Sequence, residues 1–370
     1  MKPILLVVAA FAASAASLPE VSSRRGAELF FSYGCSECHA VNGKGQRVAP
    51  DLGRRLDREY SAAGMASRMW NHAPTMWKAM GRSRSTIPTL SPADAADIFA
   101  FFYSVRYFEK PGDAARGKQV WMSKNCAACH GTPGPAGTAT GKTIAKNVVE
   151  WRSLSDPVEL VQQMWNHSSA MRTAAAEKKV KWPALTSQEL TDLLVWLQNL
   201  PIARVENLHF SLPSGDKGAE LLASKGCANC HKGALSLDDR LPNRTLTEVA
   251  AAMWNHAPKM AAQTAADIAG DDMREIVAYV WGRQFFQPKG DAARGGAVFQ
   301  SRCGSCHGQG SSLGAPPVDQ MHAERSAIEM VSALWRHGPR MLAELERQGK
   351  PWPNLSPAEM ANVVSFLGRK

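Results

Sequence analysis

Apolar residues recur every three or four positions along four well-separated stretches of the chain, which is the period of an amphipathic α-helix. Within each stretch they stand at positions i, i+3, i+4 and i+7. The four sets are Ala95, Ile98, Phe99 and Phe102; Leu190, Leu193, Leu194 and Leu197; Met273, Ile276, Val277 and Val280; and Met360, Val363, Val364 and Leu367. The sequence has no convincing apolar–polar alternation of the kind that indicates a half-buried β-strand. The pattern therefore predicts an all-α fold.

Each of these stretches is preceded by a shorter helical pattern. The shorter patterns read RRGAELFFSYG, ARGKQVWMSKN, DKGAELLASKG and ARGGAVFQSR, and each has a glycine eight or nine residues before a cysteine. Three of the longer helices also begin with a hydroxyl residue followed three positions later by an acid, which is the signature of a capping box. These pairs are Ser91 with Asp94, Thr186 with Glu189, and Ser356 with Glu359. The third stretch has no such pair, so the sequence does not mark where that helix starts.

A third element lies between the two helical patterns of every copy. It reads MWNHAPTM at 69–76, MWNHSSAM at 164–171, MWNHAPKM at 253–260 and LWRHGPRM at 334–341. Four spaced copies of the same elements indicate four tandem helical units. We predict an export signal at 1–17, followed by units at 18–108, 109–203, 204–286 and 287–370.

The eight cysteines form four pairs, and each pair is followed directly by a histidine in the pattern C-x-x-C-H. The four motifs are Cys35, Cys38 and His39; Cys126, Cys129 and His130; Cys227, Cys230 and His231; and Cys303, Cys306 and His307. This spacing is the attachment signature of c-type haem, in which two thioethers hold the porphyrin edge and the histidine binds iron. A redox dithiol does not need the histidine, and a zinc site needs two cysteine pairs close together. The sequence therefore predicts four covalently attached haems c.

The element between the helices offers two candidates for the second iron ligand. The histidines are His72, His167, His256 and His337, and the methionines are Met76, Met171, Met260 and Met341. Both types occur in all four copies, so repetition does not choose between them. The first methionine, Met69 in unit 1, is not a candidate because Leu334 replaces it in unit 4, and we expect that position to pack in the core.

Prolines between the two candidate ligands favour the methionine. Pro74, Pro258 and Pro339 are expected to end the helix after the histidine. The later methionine would then lie on a turn as the iron ligand, and the histidine would contact the haem by bonding a propionate or a backbone group. The element also has a tryptophan in every copy, which we expect to line the haem crevice as a large core aromatic with its indole N–H available to a propionate. These residues are Trp70, Trp165, Trp254 and Trp335.

Taken together, the helices, the C-x-x-C-H motifs and the later methionines resemble the class I cytochromes c over essentially the whole chain after the signal. The resemblance implies that the first and last helices of each unit cross. It also implies that a loop proline carbonyl accepts a hydrogen bond from the haem-binding histidine. The matching prolines are Pro50, Pro242, and Pro316 or Pro317. Unit 2 departs from this pattern, because Pro133 and Pro135 come too soon after its histidine.

The joints between units indicate how the chain arose. Residues 108–120 and 285–298 are nearly the same sequence, and unit 1 is more similar to unit 3 than to unit 2. The chain therefore resembles a two-domain dihaem cytochrome of the bacterial periplasm that has been doubled, with units 1 and 2 forming one module and units 3 and 4 the other.

The resemblance implies an electron carrier, because iron with both axial positions filled does not readily bind substrate. Such a protein would pass single electrons between redox proteins of the periplasm or cell surface. Two alternatives stay open. One is a haem enzyme, a peroxidase or a sulfur-compound oxidoreductase, with one open distal site, for which unit 2 is the candidate. The other is a cytochrome subunit associated with a periplasmic or membrane-bound dehydrogenase or oxidase.

Residues 1–17 and the charge of the chain bear on location and partners. An apolar run from Ile4 to Ala13 after Lys2, followed by small residues, predicts a secretory signal peptide and a periplasmic, surface or secreted protein. The formal net charge is +10. The propionates of four haems would lower the charge of the processed chain to about +1 with ferrous iron and about +5 with ferric iron. We therefore expect redox proteins rather than nucleic acid as partners, and no membrane span after the signal.

Overall fold

The computed structural model describes residues 20–53, 61–83, 86–105, 112–134, 138–141, 143–145, 151, 156–200, 209, 211–241, 244–260, 267–286, 290–311, 315–321 and 326–369. The predicted signal peptide and two of the predicted unit boundaries, after 108 and after 203, lie outside these residues. Within the described part of the chain, no helix is both long and apolar enough to cross a bilayer.

Helices dominate all four units. Units 1 and 2 contain α1 (Ser23–Ser32), α2 (Ala62–Ser83), α3 (Pro92–Val105), α4 (Ala114–Ser123), α5 (Ala127–His130), α6 (Pro157–Glu177) and α7 (Ser187–Gln198). Units 3 and 4 contain α8 (Gly218–Ser224), α9 (Leu237–Arg240), α10 (Leu246–Met260), α11 (Gly270–Val277), α12 (Arg283–Phe286), α13 (Ala292–Arg302), α14 (Gly304–His307), α15 (Ala327–Arg347) and α16 (Pro357–Leu367). A π-helical turn, Ala278–Gly282, joins α11 to α12.

Strands are minor elements. They are β1 (Val21–Ser22), β2 (Thr132–Pro133), β3 (Ala139–Thr140) and β4 (Ser211–Leu212). The first pairs antiparallel with the last, which ties unit 1 to the start of unit 3, and β2 pairs with β3 in a hairpin within unit 2. Every strand in the described residues has only two residues, so the prediction of an all-α fold is confirmed.

The last helix of each unit begins and packs as its sequence predicts. The three predicted caps all form: Ser91 bonds reciprocally with Asp94, and the boxes of Thr186 and Ser356 are complete. The third of these helices, α11, starts after Ala269 without a side-chain cap. The apolar residues that predicted these helices are buried except Phe102, which packs against the core from a partly buried position.

The first and last helices of each unit cross at the glycine that the short sequence patterns share. A Cβ atom built on Gly26 would lie 1.9 Å from the carbonyl oxygen of Asp97. The equivalent atoms on Gly117, Gly218 and Gly295 would lie 2.1, 2.1 and 1.9 Å from atoms of the facing helix. The two backbones therefore approach so closely that only glycine fits. In unit 1 the buried carboxylate of Asp97 also accepts from the backbone N–H of Ser22 and pairs with Arg25.

The most extensive packing between units joins unit 1 to unit 4 and unit 2 to unit 3. The long helices α2 and α15 pack together in the first pair, and α6 and α10 in the second. Unit 1 also meets unit 3, where the Tyr103 hydroxyl accepts a hydrogen bond from the Leu246 N–H and its ring packs on Trp281. The spatial order of the units is thus 2, 3, 1, 4. The two halves inferred from sequence similarity, units 1 with 2 and units 3 with 4, are not the pairs that pack most extensively.

Candidate haem-binding sites

Each C-x-x-C-H motif folds into one short helical turn. The backbone N–H of the histidine donates to the backbone carbonyl of the first cysteine at 3.0, 2.9, 2.9 and 2.9 Å in units 1 to 4. This bond holds the side chains of the histidine and the first cysteine on one side of the turn. All eight cysteines are in the described residues, and none of them forms a disulfide. Burial raises the pKa of Cys35, Cys126 and Cys303 to about 11. A site that disfavours a charged sulfur fits a neutral thioether.

The motif histidines have their Nδ1 atoms fixed by backbone carbonyls in three units. His39 Nδ1 lies 3.0 Å from the Pro50 oxygen, and His307 Nδ1 lies 2.9 Å from the Pro316 oxygen, as the family resemblance implied. In unit 3 the acceptor is the carbonyl of Leu235, 3.3 Å from His231 Nδ1, and Pro242 lies outside the described residues. A carbonyl oxygen only accepts, so Nδ1 carries the proton and Nε2 keeps a lone pair for a metal.

Unit 2 differs around its motif histidine, as its sequence suggested. The β2–β3 hairpin follows the motif directly. Trp151 packs edge-on against His130, with ring centres 5.4 Å apart, and Trp121 donates its indole N–H to the Gly131 carbonyl. Aromatic side chains therefore enclose this histidine.

The helix that contains the third element continues through its proline, so the prediction that proline ends it is wrong. Pro74 lies inside α2, Pro258 inside α10 and Pro339 inside α15. A proline in a helix leaves the carbonyl four residues earlier without its donor. In unit 1 that carbonyl belongs to Trp70, and it accepts the indole N–H of Trp352 from unit 4 at 3.0 Å. Tertiary contact thus replaces the missing helical hydrogen bond.

In units 1 to 3 the second histidine faces the motif histidine. The ring centres of His39 and His72 are 6.2 Å apart, those of His130 and His167 5.6 Å, and those of His231 and His256 6.2 Å. His72, His167 and His256 are exposed and His337 is partly buried. Partial loss of hydration, followed by the charge of the motif histidine, lowers the pKa of all four, which favours the neutral form that can bind a metal.

In units 1 to 3 the histidine separation fits one metal ion between the two rings. A histidine nitrogen binds a first-row metal at about 2.0 Å and lies roughly 1.1 Å from its ring centre. Two imidazoles on opposite sides of one iron therefore have ring centres about 6.2 Å apart. Units 1 and 3 match this value, and unit 2 is slightly closer. The residues present thus fit a haem iron bound from both sides.

The later methionines lie one helical turn beyond the second histidines. On a continuous helix, four residues advance about 6 Å along the axis with only about 40° of rotation. Met76, Met171 and Met341 occupy partly buried positions against the core. The first residue of the element packs there too, as predicted: Met69, Met164 and Met253 are partly buried, and Leu334 is fully buried.

Two tryptophans of the element, Trp70 and Trp254, bond to neighbouring units, and Trp335 packs edge-on against Trp77 of unit 1. Trp70 precedes His72 by two residues, which on a helix places the two side chains about 200° apart around the axis. The Trp70 indole N–H donates to the carbonyl of Pro353 in unit 4 at 2.6 Å, and that of Trp254 donates to Pro183 of unit 2 at 2.8 Å. Neither N–H is therefore free for a propionate.

Three segments of the chain match family models. The model described as cytochrome c matches residues 23–106 and 114–201. A second model, described as cytochrome c oxidase, cbb3-type, subunit III, matches residues 290–367. Together these segments make up more than half of the chain. The chain belongs to the cytochrome c family. No curated protein and no solved structure gave a match.

Membership of the cytochrome c family agrees with the geometry and gives the coarse function. This cytochrome c is a multidomain class I protein that binds covalent haem c and transfers electrons. The third unit lies between the matched segments, and it has the same motif turn and the same pair of facing histidines.

Sequence reasoning missed the residue between the tryptophan and the second histidine. It is Asn71, Asn166 and Asn255 in three copies, and Arg336 in the fourth. Each asparagine side chain bonds to the backbone of a neighbouring unit, at Leu355, Ile268 and Leu185 in turn. Its recurrence at one position of the repeat was the available signal.

Proposed function

We propose that this cytochrome c is a four-haem electron carrier in which two histidines of each unit hold the iron. The pairs are His39 with His72, His130 with His167, His231 with His256, and His307 with His337. Haem c, when bound, supplies the one-electron chemistry. The cysteines of each motif would hold the porphyrin covalently, and the carbonyls of Pro50, Leu235 and Pro316 orient the motif histidines.

The facing histidine rings carry this proposal. Their separation in units 1 to 3 suits a single iron, and α2 continues unbroken from His72 through Met76. Methionine ligation through Met76, Met171, Met260 and Met341 is the second candidate, and it loses its main support because the prolines do not end the helix. A histidine in place of methionine lowers the reduction potential, so we expect low-potential haems.

Ferric spectra of His72→Ala and Met76→Ala test the ligand assignment. In His72→Ala we expect one haem in four to become high-spin, because its iron loses a ligand. In Met76→Ala we expect all haems to stay low-spin, and we expect the unmodified protein to lack the sulfur-to-iron charge-transfer band. A band that is present in the unmodified protein and weaker in Met76→Ala would contradict histidine ligation and establish methionine.

Cyanide binding to the ferric protein separates the carrier from a haem enzyme. His167 faces His130 in unit 2, which supports two filled axial positions there as in the other units. We expect all haems to resist cyanide on the timescale of mixing. Rapid, tight binding at one haem, lost in a variant of unit 2, would instead indicate an open catalytic site.

Location, boundaries and partners complete the proposal. The apolar segment before residue 17 supports export, and single-electron exchange with periplasmic or cell-surface redox proteins follows from that location. The crossing of first and last helices within each unit supports unit boundaries after residues 108, 203 and 286. Co-purification with a dehydrogenase or oxidase would identify the chain as the cytochrome subunit of that enzyme.

A further inference from the structure

Each asparagine of the third element makes a double hydrogen bond across a unit boundary. In unit 1, Asn71 Nδ2 donates to the Leu355 carbonyl at 2.8 Å, and the Leu355 N–H donates to Asn71 Oδ1 at 2.8 Å. Asn255 makes the same pair of bonds with Leu185, at 2.7 and 2.8 Å. Asn166 makes it with Ile268, at 2.9 Å for both bonds. An amide side chain has a donor and an acceptor side by side, so it can pair with both the N–H and the carbonyl of one residue.

Further bonds reinforce this contact in unit 1. Trp70 donates to the Pro353 carbonyl, Trp352 donates to the Trp70 carbonyl, and Ser67 donates to the Leu355 carbonyl. The loop of unit 4 from Trp352 to Leu355 thus bonds to α2 over the turn that precedes Pro74. Apart from the Ser67 bond, they involve the two residues directly before His72, Trp70 and Asn71.

The contact fixes the direction in which His72 points. A helix that lacks the Pro74 N–H can bend at that turn, and His72 lies inside it. Trp352 supplies the missing donor, and Asn71 ties the adjacent residue to a second backbone. Since successive helical residues differ by about 100° around the axis, holding the side chains of Trp70 and Asn71 also sets the direction of the next one.

We infer that Asn71 and Trp352 are positioning residues for the haem of unit 1, so that the ligation of this haem depends on unit 4. The same relation links Asn255 and the loop at Leu185 of unit 2 to His256. The inference rests on the proposed histidine ligation, because it concerns how that ligand is held.

The full-length holoprotein with Trp352→Phe tests this inference. Phenylalanine keeps an aromatic ring against Trp70 and Trp77 and removes the indole donor together with the volume of its second ring. We expect cyanide to bind one haem about tenfold faster, because the loss of one buried hydrogen bond is worth about that factor. We also expect a shifted ferric low-spin signal from the same haem. The affected haem should be that of unit 1, which is identified as the haem whose low-spin signal disappears in His72→Ala. An effect on that haem would come from another unit, because Trp352 belongs to unit 4.

Asn71→Asp is the second variant, because a carboxylate can accept from the Leu355 N–H but cannot donate to its carbonyl. We expect it to affect the same haem as Trp352→Phe. Thr75→Ala is the matched control, an exposed residue one turn further along α2, and it should leave every haem signal unchanged.

Two outcomes would overturn the inference. One is that neither Trp352→Phe nor Asn71→Asp changes the signal assigned by His72→Ala. The other is that Trp352→Phe changes only the signal removed in His337→Ala, which would make Trp352 a local support of its own unit. If His72→Ala itself removes no low-spin signal, the proposal of histidine ligation has failed. That result differs from the two outcomes above, which contradict only the positioning role of Asn71 and Trp352.

Discussion

At the scale of single residues, one glycine per unit determines how closely the first and last helices approach. Gly26 has no room for a methyl group, because the Asp97 carbonyl occupies the space. The sequence showed this residue as a recurring glycine before each cysteine motif, but it could not show what the glycine touched. The atoms that it meets belong to a helix more than sixty residues later.

Gly26→Ala tests the close approach. The new Cβ would clash with backbone, which cannot move as a flexible side chain can, so we expect a loss of about 3 kcal/mol in the free energy of unfolding. Gly81→Ala is the matched control: it lies inside α2 with no atom within 4 Å of its Cβ position. We expect that change to stabilise the holoprotein by up to about 1 kcal/mol. Denaturant unfolding followed by circular dichroism measures both, and equal effects would contradict the crossing geometry.

At the scale of elements, helix starts could be predicted from the sequence but one helix continuation could not. A capping box is local, since both of its partners lie within four residues, and all three predicted boxes are present. The continuation of α2 through Pro74 depends on Trp352, which is 282 residues from the carbonyl it bonds. No window of sequence around Pro74 contains that partner. The prediction that Pro74 ends the helix was wrong for this reason, and the choice of methionine as iron ligand had rested on it.

The uncapped helix of unit 3 gives the element-scale prediction. Ala269 is exposed and has the extended backbone of an N-cap, and Asp272 stands three residues later. We expect Ala269→Ser to stabilise the protein by about 1 kcal/mol, because serine can accept a hydrogen bond from the first turn. The reverse change in unit 4, Ser356→Ala, should destabilise by about the same amount. Thermal unfolding of both variants is the measurement, and a destabilising Ala269→Ser would mean that α11 starts elsewhere.

At the scale of the whole molecule, sequence similarity and spatial packing follow different pairings. Units 1 and 3 resemble each other in sequence, yet their asparagines bond to units 4 and 2 respectively. Both contacts join an odd unit to an even one through a loop that reads W-P-x-L, at 352–355 and 182–185. The similarity of these two loops could be seen in the sequence. Which odd unit meets which even unit could not, because the bonded residues are 284 and 70 positions apart in the chain.

Unit 1 pairs with unit 4 and unit 2 with unit 3, so each unit packs most extensively against a unit from the other half of the chain. A protease site placed between residues 203 and 208 would separate the halves covalently, yet both interfaces span that cut. We expect the nicked protein to elute from a sizing column as one particle and to split into two haem-bearing fragments only in denaturant. Two half-sized particles under native conditions would show that each half closes on itself. The continuity of the chain between its halves would thus be dispensable for holding the folded protein together.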